Sequence, residues 1–122
     1  MPIVIVDFCR GERETCERIQ EVERIYLPFV TLAELRAGFL CGARTLQNER
    51  VITRFLNSPR VRTLYADDQT THHYARLFQQ LRGQAPPIPT NDLWIAALVI
   101  QHDLTLFARD AHFDHLPQLA RL

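Results

Sequence analysis

Three carboxylates, Glu34, Asp92 and Asp110, stand far apart in the chain but at comparable structural places. The first two lie early in helices that follow a strand or loop, and the third lies just after a strand. In a parallel sheet all three sit on the carboxyl-end rim, where ligands gather, and can converge on one acidic hollow. Carboxylates brought together repel, and a hard divalent cation resolves that repulsion. Mg²⁺ is the ion to expect, with Mn²⁺ as its substitute. Either takes oxygen ligands, keeps several waters and can activate one of them against a phosphodiester.

Each acid also has a structural role open to it. Acidic residues at helix starts offset the macrodipole and the unpaired N–H groups, and Thr31 with Glu34 has capping-box spacing. If that were all, the three carboxyl groups would point to separate surfaces. Among the histidines, His72 and His73 are adjacent and diverge on a helix. His112 and His115, three apart with Asp114 between them, can touch one metal if that segment is helical. The chain has no glycine-rich phosphate loop, nucleophile elbow or H-E-x-x-H motif.

The elements that must position these groups follow from periodicity. Met1 to Val6 is β-branched with little alternation, as in a strand buried on both faces that would end at Asp7, although the same run could equally begin a helix. Glu12 to Glu23 has helical spacing through Cys16, Ile19 and Val22. Arg24 to Phe29 is a second strand, ended or kept to an edge by Pro28. A helix begins at Thr31, and another runs from Asn48 to Leu56, stopped by Asn57-Ser58-Pro59. Val61 to Tyr65 is a third strand. Asp68 is expected to cap a helix from Gln69 to Leu81, which Gly83 ends.

Pro89 keeps Ile88 out of helical geometry, Thr90 or Asn91 can cap, and Trp94, Ile95, Leu98 and Val99 form the buried stripe of a helix closed by His102-Asp103. Leu104 to Phe107 is a short buried strand, followed by Arg109-Asp110 and a terminal segment from His112 to Pro117. Alternating strands and helices call for a parallel sheet covered on both faces, an α/β fold.

With 122 residues the chain is read as one domain with one sizeable core. Its 14 basic residues balance its 14 acidic ones, so no overall field draws in nucleic acid, and any RNA contact must come from a local patch. All the basic residues are arginine, which grips phosphates with paired N–H bonds but also follows genome composition. Cys9, Cys16 and Cys41 are odd in number and lack C-x-x-C spacing, which argues against a disulfide framework or a zinc knuckle. No apolar run approaches the ~20 residues of a membrane span. A cytoplasmic protein is expected.

The runs Thr31-Leu32-Ala33-Glu34-Leu35 with Gly38, Ile88-Pro89-Thr90-Asn91-Asp92-Leu93-Trp94-Ile95-Ala96-Ala97, and Leu104-Thr105-Leu106-Phe107-Ala108-Arg109-Asp110 with Phe113 resemble the PIN-domain ribonucleases. More narrowly, the chain is similar to the VapC toxins of bacterial toxin–antitoxin pairs, over nearly its whole length. The resemblance implies a three-layer α/β/α sandwich and cleavage of RNA, often a tRNA, with Mg²⁺ held by acids. Glu34, Asp92 and Asp110 match three of these acids. Asp114 stands near a further acidic position, and Asn91 adjoins Asp92. Arg10, Arg36 and Arg109 are the arginines that would position the RNA backbone. A homodimer and a VapB-like antitoxin are the implied partners.

The family opens with a strand ending in Asp-Thr-Asn, and two registers are open for it here. Arg10-Gly11 and Glu34 keep their familiar spacing if the first Asp coincides with Met1, which leaves the opening strand and its acid out; this register is favoured because two landmarks agree on it. The other takes Met1 to Val6 as that strand and Asp7 as the replacement ligand. If the acid is lost, a second function comes forward, a catalytically impaired binding module that still pairs with an antitoxin-like peptide.

Overall fold

The computed structural model describes residues 2–6, 23–83, 87–108 and 110–122. Five strands form one sheet: β1 (Pro2–Ile5), β2 (Arg24–Pro28), β3 (Val61–Leu64), β4 (Thr105–Phe107) and β5 (Ala120–Arg121). Their order is β3-β2-β1-β4-β5, and every neighbouring pair is parallel. Helices α1 (Phe29–Cys41), α2 (Thr45–Leu56), α3 (Asp68–Gln80) and α4 (Thr90–Gln101) cover it, and a 3₁₀ turn spans Ala111–His115.

β1 occupies the centre of the sheet. Ile3, Val4 and Ile5 are wholly buried, and the period of two sends them to opposite faces. Val4 packs among residues of α3 and α4, whereas Ile3 and Ile5 join Ile25, Val61 and Phe107 against Phe55 and Leu56 of α2. Leu27 continues that second face onto Leu32 of α1 and Ile52 of α2. The expected α/β sandwich is therefore present. The favoured register is not, because the strand it leaves out is here and pairs on both sides. Asp7 and the expected helix over residues 12–23, nearly all of it, lie outside the described residues.

β2 also has a neighbour on each side, so Pro28 ends the strand and does not mark an edge. Pro28 and Pro89 are the N-caps of α1 and α4, at φ −61°, ψ 143° and φ −56°, ψ 143°. These values are near the fixed φ of proline and force the preceding chain to stay extended. Neither helix has a side-chain cap. Thr31, whose spacing to Glu34 allows a capping box, instead lies inside the helix and is buried. Thr90 and Asn91 are likewise already helical.

α4 carries more burial than the four-residue stripe expected of it. Leu93, Ile95, Ala96, Ala97, Leu98 and Val99 are all buried, so the helix is enclosed around most of its circumference. Trp94 is only half-buried and lies against Tyr74 of α3, with ring centroids 4.3 Å apart. At its end Asp103 takes φ 52°, a left-handed conformation that Asp tolerates better than most residues.

α3 begins one residue earlier than expected, and Asp67, not Asp68, caps it. Asp67 accepts from the Thr70 N–H at 3.1 Å, and Thr70 Oγ1 accepts from the Asp67 N–H at 2.9 Å. Gln101 Nε2 donates to the same carboxylate at 2.8 Å, tying the start of α3 to the end of α4.

Two outcomes follow. Leu98→Ala removes a wholly buried side chain from α4 and is expected to cost about 2–5 kcal/mol, read as a lower urea midpoint at unchanged slope. The second concerns Asp67, whose carboxyl is held below its ordinary value of 3.8, first by the Gln101 hydrogen bond and then by the Thr70 N–H. A carboxyl with a lowered folded pKa contributes stability that is full above the ordinary value and lost as pH falls through the folded one. Asp67→Asn should therefore flatten the fall in melting temperature below about pH 4.

Candidate active site

The strand order reverses its direction of growth at β1: β2 and β3 extend the sheet to one side, β4 and β5 to the other. Such a switch point opens a crevice beyond the carboxyl ends of the strands. Val6 donates to Phe107 O at 3.2 Å, so β1 and β4 stay paired to that rim. Asp110 follows β4 and caps the 3₁₀ turn, accepting from the His112 N–H at 3.0 Å. Asp92 enters from the first turn of α4.

These side chains meet. His112 Nδ1 lies 2.7 Å from Asp92 Oδ2 and 3.0 Å from Asp110 Oδ1. One ligand atom from each of the three falls within 4.8 Å of the others. Glu34, from the second turn of α1, accepts from Asn91 Nδ2 at 2.7 Å. It is thus linked to Asn91, the residue next to Asp92, and does not cap its own helix.

Asp92 feels this company. Its side chain is 14% exposed, and its pKa is raised above 3.8, chiefly by burial. The negative charges of Asp110 and Glu34 push the same way, while the hydrogen bond with His112 opposes them. The acids are not scattered over separate surfaces, as purely structural roles would have them. A desolvated carboxylate beside other acids has the charge and donor chemistry to hold a divalent cation, and Asp92, Asp110 and His112 fit one by spacing.

The remaining expectations divide. Asp114 is drawn away to Arg121, which also donates to Ala108 O at 2.8 Å. The reason is the 3₁₀ geometry: with three residues per turn, positions 112 and 114 face different ways, and it is His112 that faces the acids. His115 is exposed and is not in the gathered group. Arg36 pairs with Glu49 of α2 at 3.7 Å. Arg10 and Arg109 lie outside the described residues. Spacing in the sequence pairs His112 only with His115. The signal that finds it is its place two residues after Asp110, since a capping Asp turns the N–H at that position toward its own carboxylate.

The model of the PIN domain matches residues 4–119. The chain belongs to the PIN-domain family. Relatives include Ribonuclease VapC1 of Haemophilus influenzae (strain R2866), 34% identical over 103 residues that cover 76% of this PIN domain and 75% of the relative. Ribonuclease VapC5 of Mycobacterium tuberculosis is 33% identical over 94 residues, 77% of this chain and 70% of its own. Among solved structures, VapBC-1 from nontypeable Haemophilus influenzae superposes with a TM-score of 0.85 at 25% identity, covering 99% of this chain and 96% of the other. VapBC-5 from Mycobacterium tuberculosis, of the VapBC family of toxin-antitoxin systems, gives 0.71 at 30% identity over 98% and 93%.

The raised pKa of Asp92 carries a prediction for this PIN domain. An acid whose folded pKa is raised destabilises the fold above that value, and the penalty fades as pH falls toward the ordinary 3.8. In the presence of a chelator, Asp92→Asn should melt higher than the parent at pH 7, with the gap closing toward pH 4. A lower melting point at pH 7 would mean that the carboxylate stabilises the metal-free fold on balance.

Proposed function

We propose that this PIN domain is a metal-dependent endoribonuclease of the VapC kind, restrained by a VapB-like antitoxin. The observation that carries this reading is the meeting of Asp92 and Asp110 with His112 at the switch point of the sheet, with Glu34 alongside. The relatives named as ribonucleases, and the solved VapBC pairs, support it. RNA is the substrate class, with tRNA the form to try first. Partners in this reading are the antitoxin and a second copy of the chain, and the setting is the cytoplasm. No helix among the described residues is long and apolar enough to cross a membrane.

Asp92 and Asp110 would hold Mg²⁺ or Mn²⁺, and Glu34 would reach it through water. When bound, the ion lowers the pKa of a water and stabilises charge on the scissile phosphate. The protein's own part is orientation. Asn91 fixes Glu34, burial of α4 fixes the backbone that carries Asp92, and capping of the 3₁₀ turn fixes Asp110. Asp7, two residues beyond the end of β1 in sequence, is proposed as a further ligand. The impaired-module alternative rests on loss of the first acid; β1 stands where the opening strand belongs, and Asp7 is the residue that would supply that acid.

The decisive assay is cleavage of a tRNA pool with added Mg²⁺ or Mn²⁺, comparing the parent chain with Asp92→Asn and Asp7→Asn. Asp92→Asn should lose at least about 100-fold in rate while keeping its fold by circular dichroism. Equal rates for parent and Asp92→Asn would remove Asp92 from the mechanism. Equal rates for Asp7→Asn would remove only Asp7.

A further inference from the structure

The donor set gathered around Asp92 is not all oxygen. A single imidazole nitrogen, His112 Nδ1, contacts one oxygen of Asp92 at 2.7 Å and one of Asp110 at 3.0 Å. In an octahedral site with metal–ligand bonds of ~2.1 Å, neighbouring ligand atoms are about 3 Å apart. The two observed separations are close to that edge length. Two edges of one face of a coordination shell are therefore near their bonded length, and one ligand atom from each of the three residues lies within 4.8 Å of the others.

The imidazole is also held in place. His112 donates its backbone N–H to Asp110, and the next residue, Phe113, is buried and anchors the turn in the core. Arg121 of β5 donates to Ala108 O, at the root of the same loop. The His112 side chain is 41% exposed, so the cluster is not sealed from solvent.

Resting on the metal-dependent reading above, we propose that His112 is itself a ligand, making this a mixed carboxylate–imidazole site that prefers a first-row transition ion such as Mn²⁺ over Mg²⁺. The physical reason is ligand hardness. Carboxylate and water suit Mg²⁺ and Mn²⁺ alike, whereas imidazole nitrogen binds Mn²⁺ and the later first-row ions better than it binds Mg²⁺. Replacing one oxygen donor by nitrogen therefore costs Mg²⁺ affinity without the same cost to Mn²⁺.

The test needs no RNA. Mn²⁺ is titrated into the purified chain and followed by electron paramagnetic resonance, with Mg²⁺ as competitor, for the parent, His112→Ala, His112→Asp and Asp92→Asn. Pulsed measurements report nitrogen coupling to the bound Mn²⁺, and circular dichroism confirms folding. The parent should show imidazole nitrogen coupling and at least about a tenfold preference for Mn²⁺. His112→Ala should lose that coupling and about 10–100-fold of Mn²⁺ affinity, with a smaller effect on Mg²⁺. His112→Asp should bind without the coupling and with a narrower preference.

Mn²⁺ bound by the parent without nitrogen coupling, or an Mn²⁺/Mg²⁺ ratio unmoved by either His112 variant, would overturn the ligand role while leaving the metal-dependent reading intact. Tighter Mn²⁺ binding by His112→Ala would also overturn it, since the ring would then be a competitor for the acids. No Mn²⁺ binding by the folded parent would overturn both readings. If His112→Ala fails to fold, the parent's nitrogen signal and the His112→Asp ratio decide the matter.

Discussion

Burial of α4 is the constraint on which the site depends. A helix enclosed on most sides has little freedom to shift or rotate, so its first turn delivers Asp92 to one place at the edge of the core. That same enclosure strips water from the carboxylate and raises its pKa. Precision of position and cost of charge thus have one cause. A cation bound beside Asp92 would offset that cost of charge, and sites of this kind are commonly less stable than their surroundings would allow.

Both acid-bearing helices start in the same way. Pro28 and Pro89 end the preceding extended segments and begin α1 and α4 without a side-chain cap. With no reciprocal cap to make, Glu34 and Asn91 are available to each other, and their 2.7 Å hydrogen bond joins the two helix starts across 57 residues of sequence. The third acid arrives by a different route. Asp110 does act as a cap, of the 3₁₀ turn, and in doing so brings His112 back toward Asp92. Local capping and site assembly compete at Glu34 but are one and the same event at Asp110.

The family relation and the geometry carry different parts of the functional reading. Similarity to VapC ribonucleases over about three-quarters of the chain speaks to the class of reaction. The side-chain arrangement speaks to the site itself, with an imidazole among the acids and an Asp114 committed to Arg121.

The sequence by itself determined the alternation of strands and helices, the parallel sheet and the three acids, because β-branched runs, helical spacing and proline breaks are local signals that burial later reinforces. It also offered both registers for the opening strand. Only the tertiary structure could choose between them, since Ile3, Val4 and Ile5 are identified as a central strand by having β2 on one side and β4 on the other. The caps that spacing allows at Thr31 and Asp68 do not form for a related reason: the chain's path into the helix decides whether one forms. The contact of His112 with Asp92 lay beyond local reading, although its place two residues after Asp110 is a local signal. Its partner Asp92 is 20 residues away, and a contact of that kind exists only once two separate elements have been packed against the same sheet.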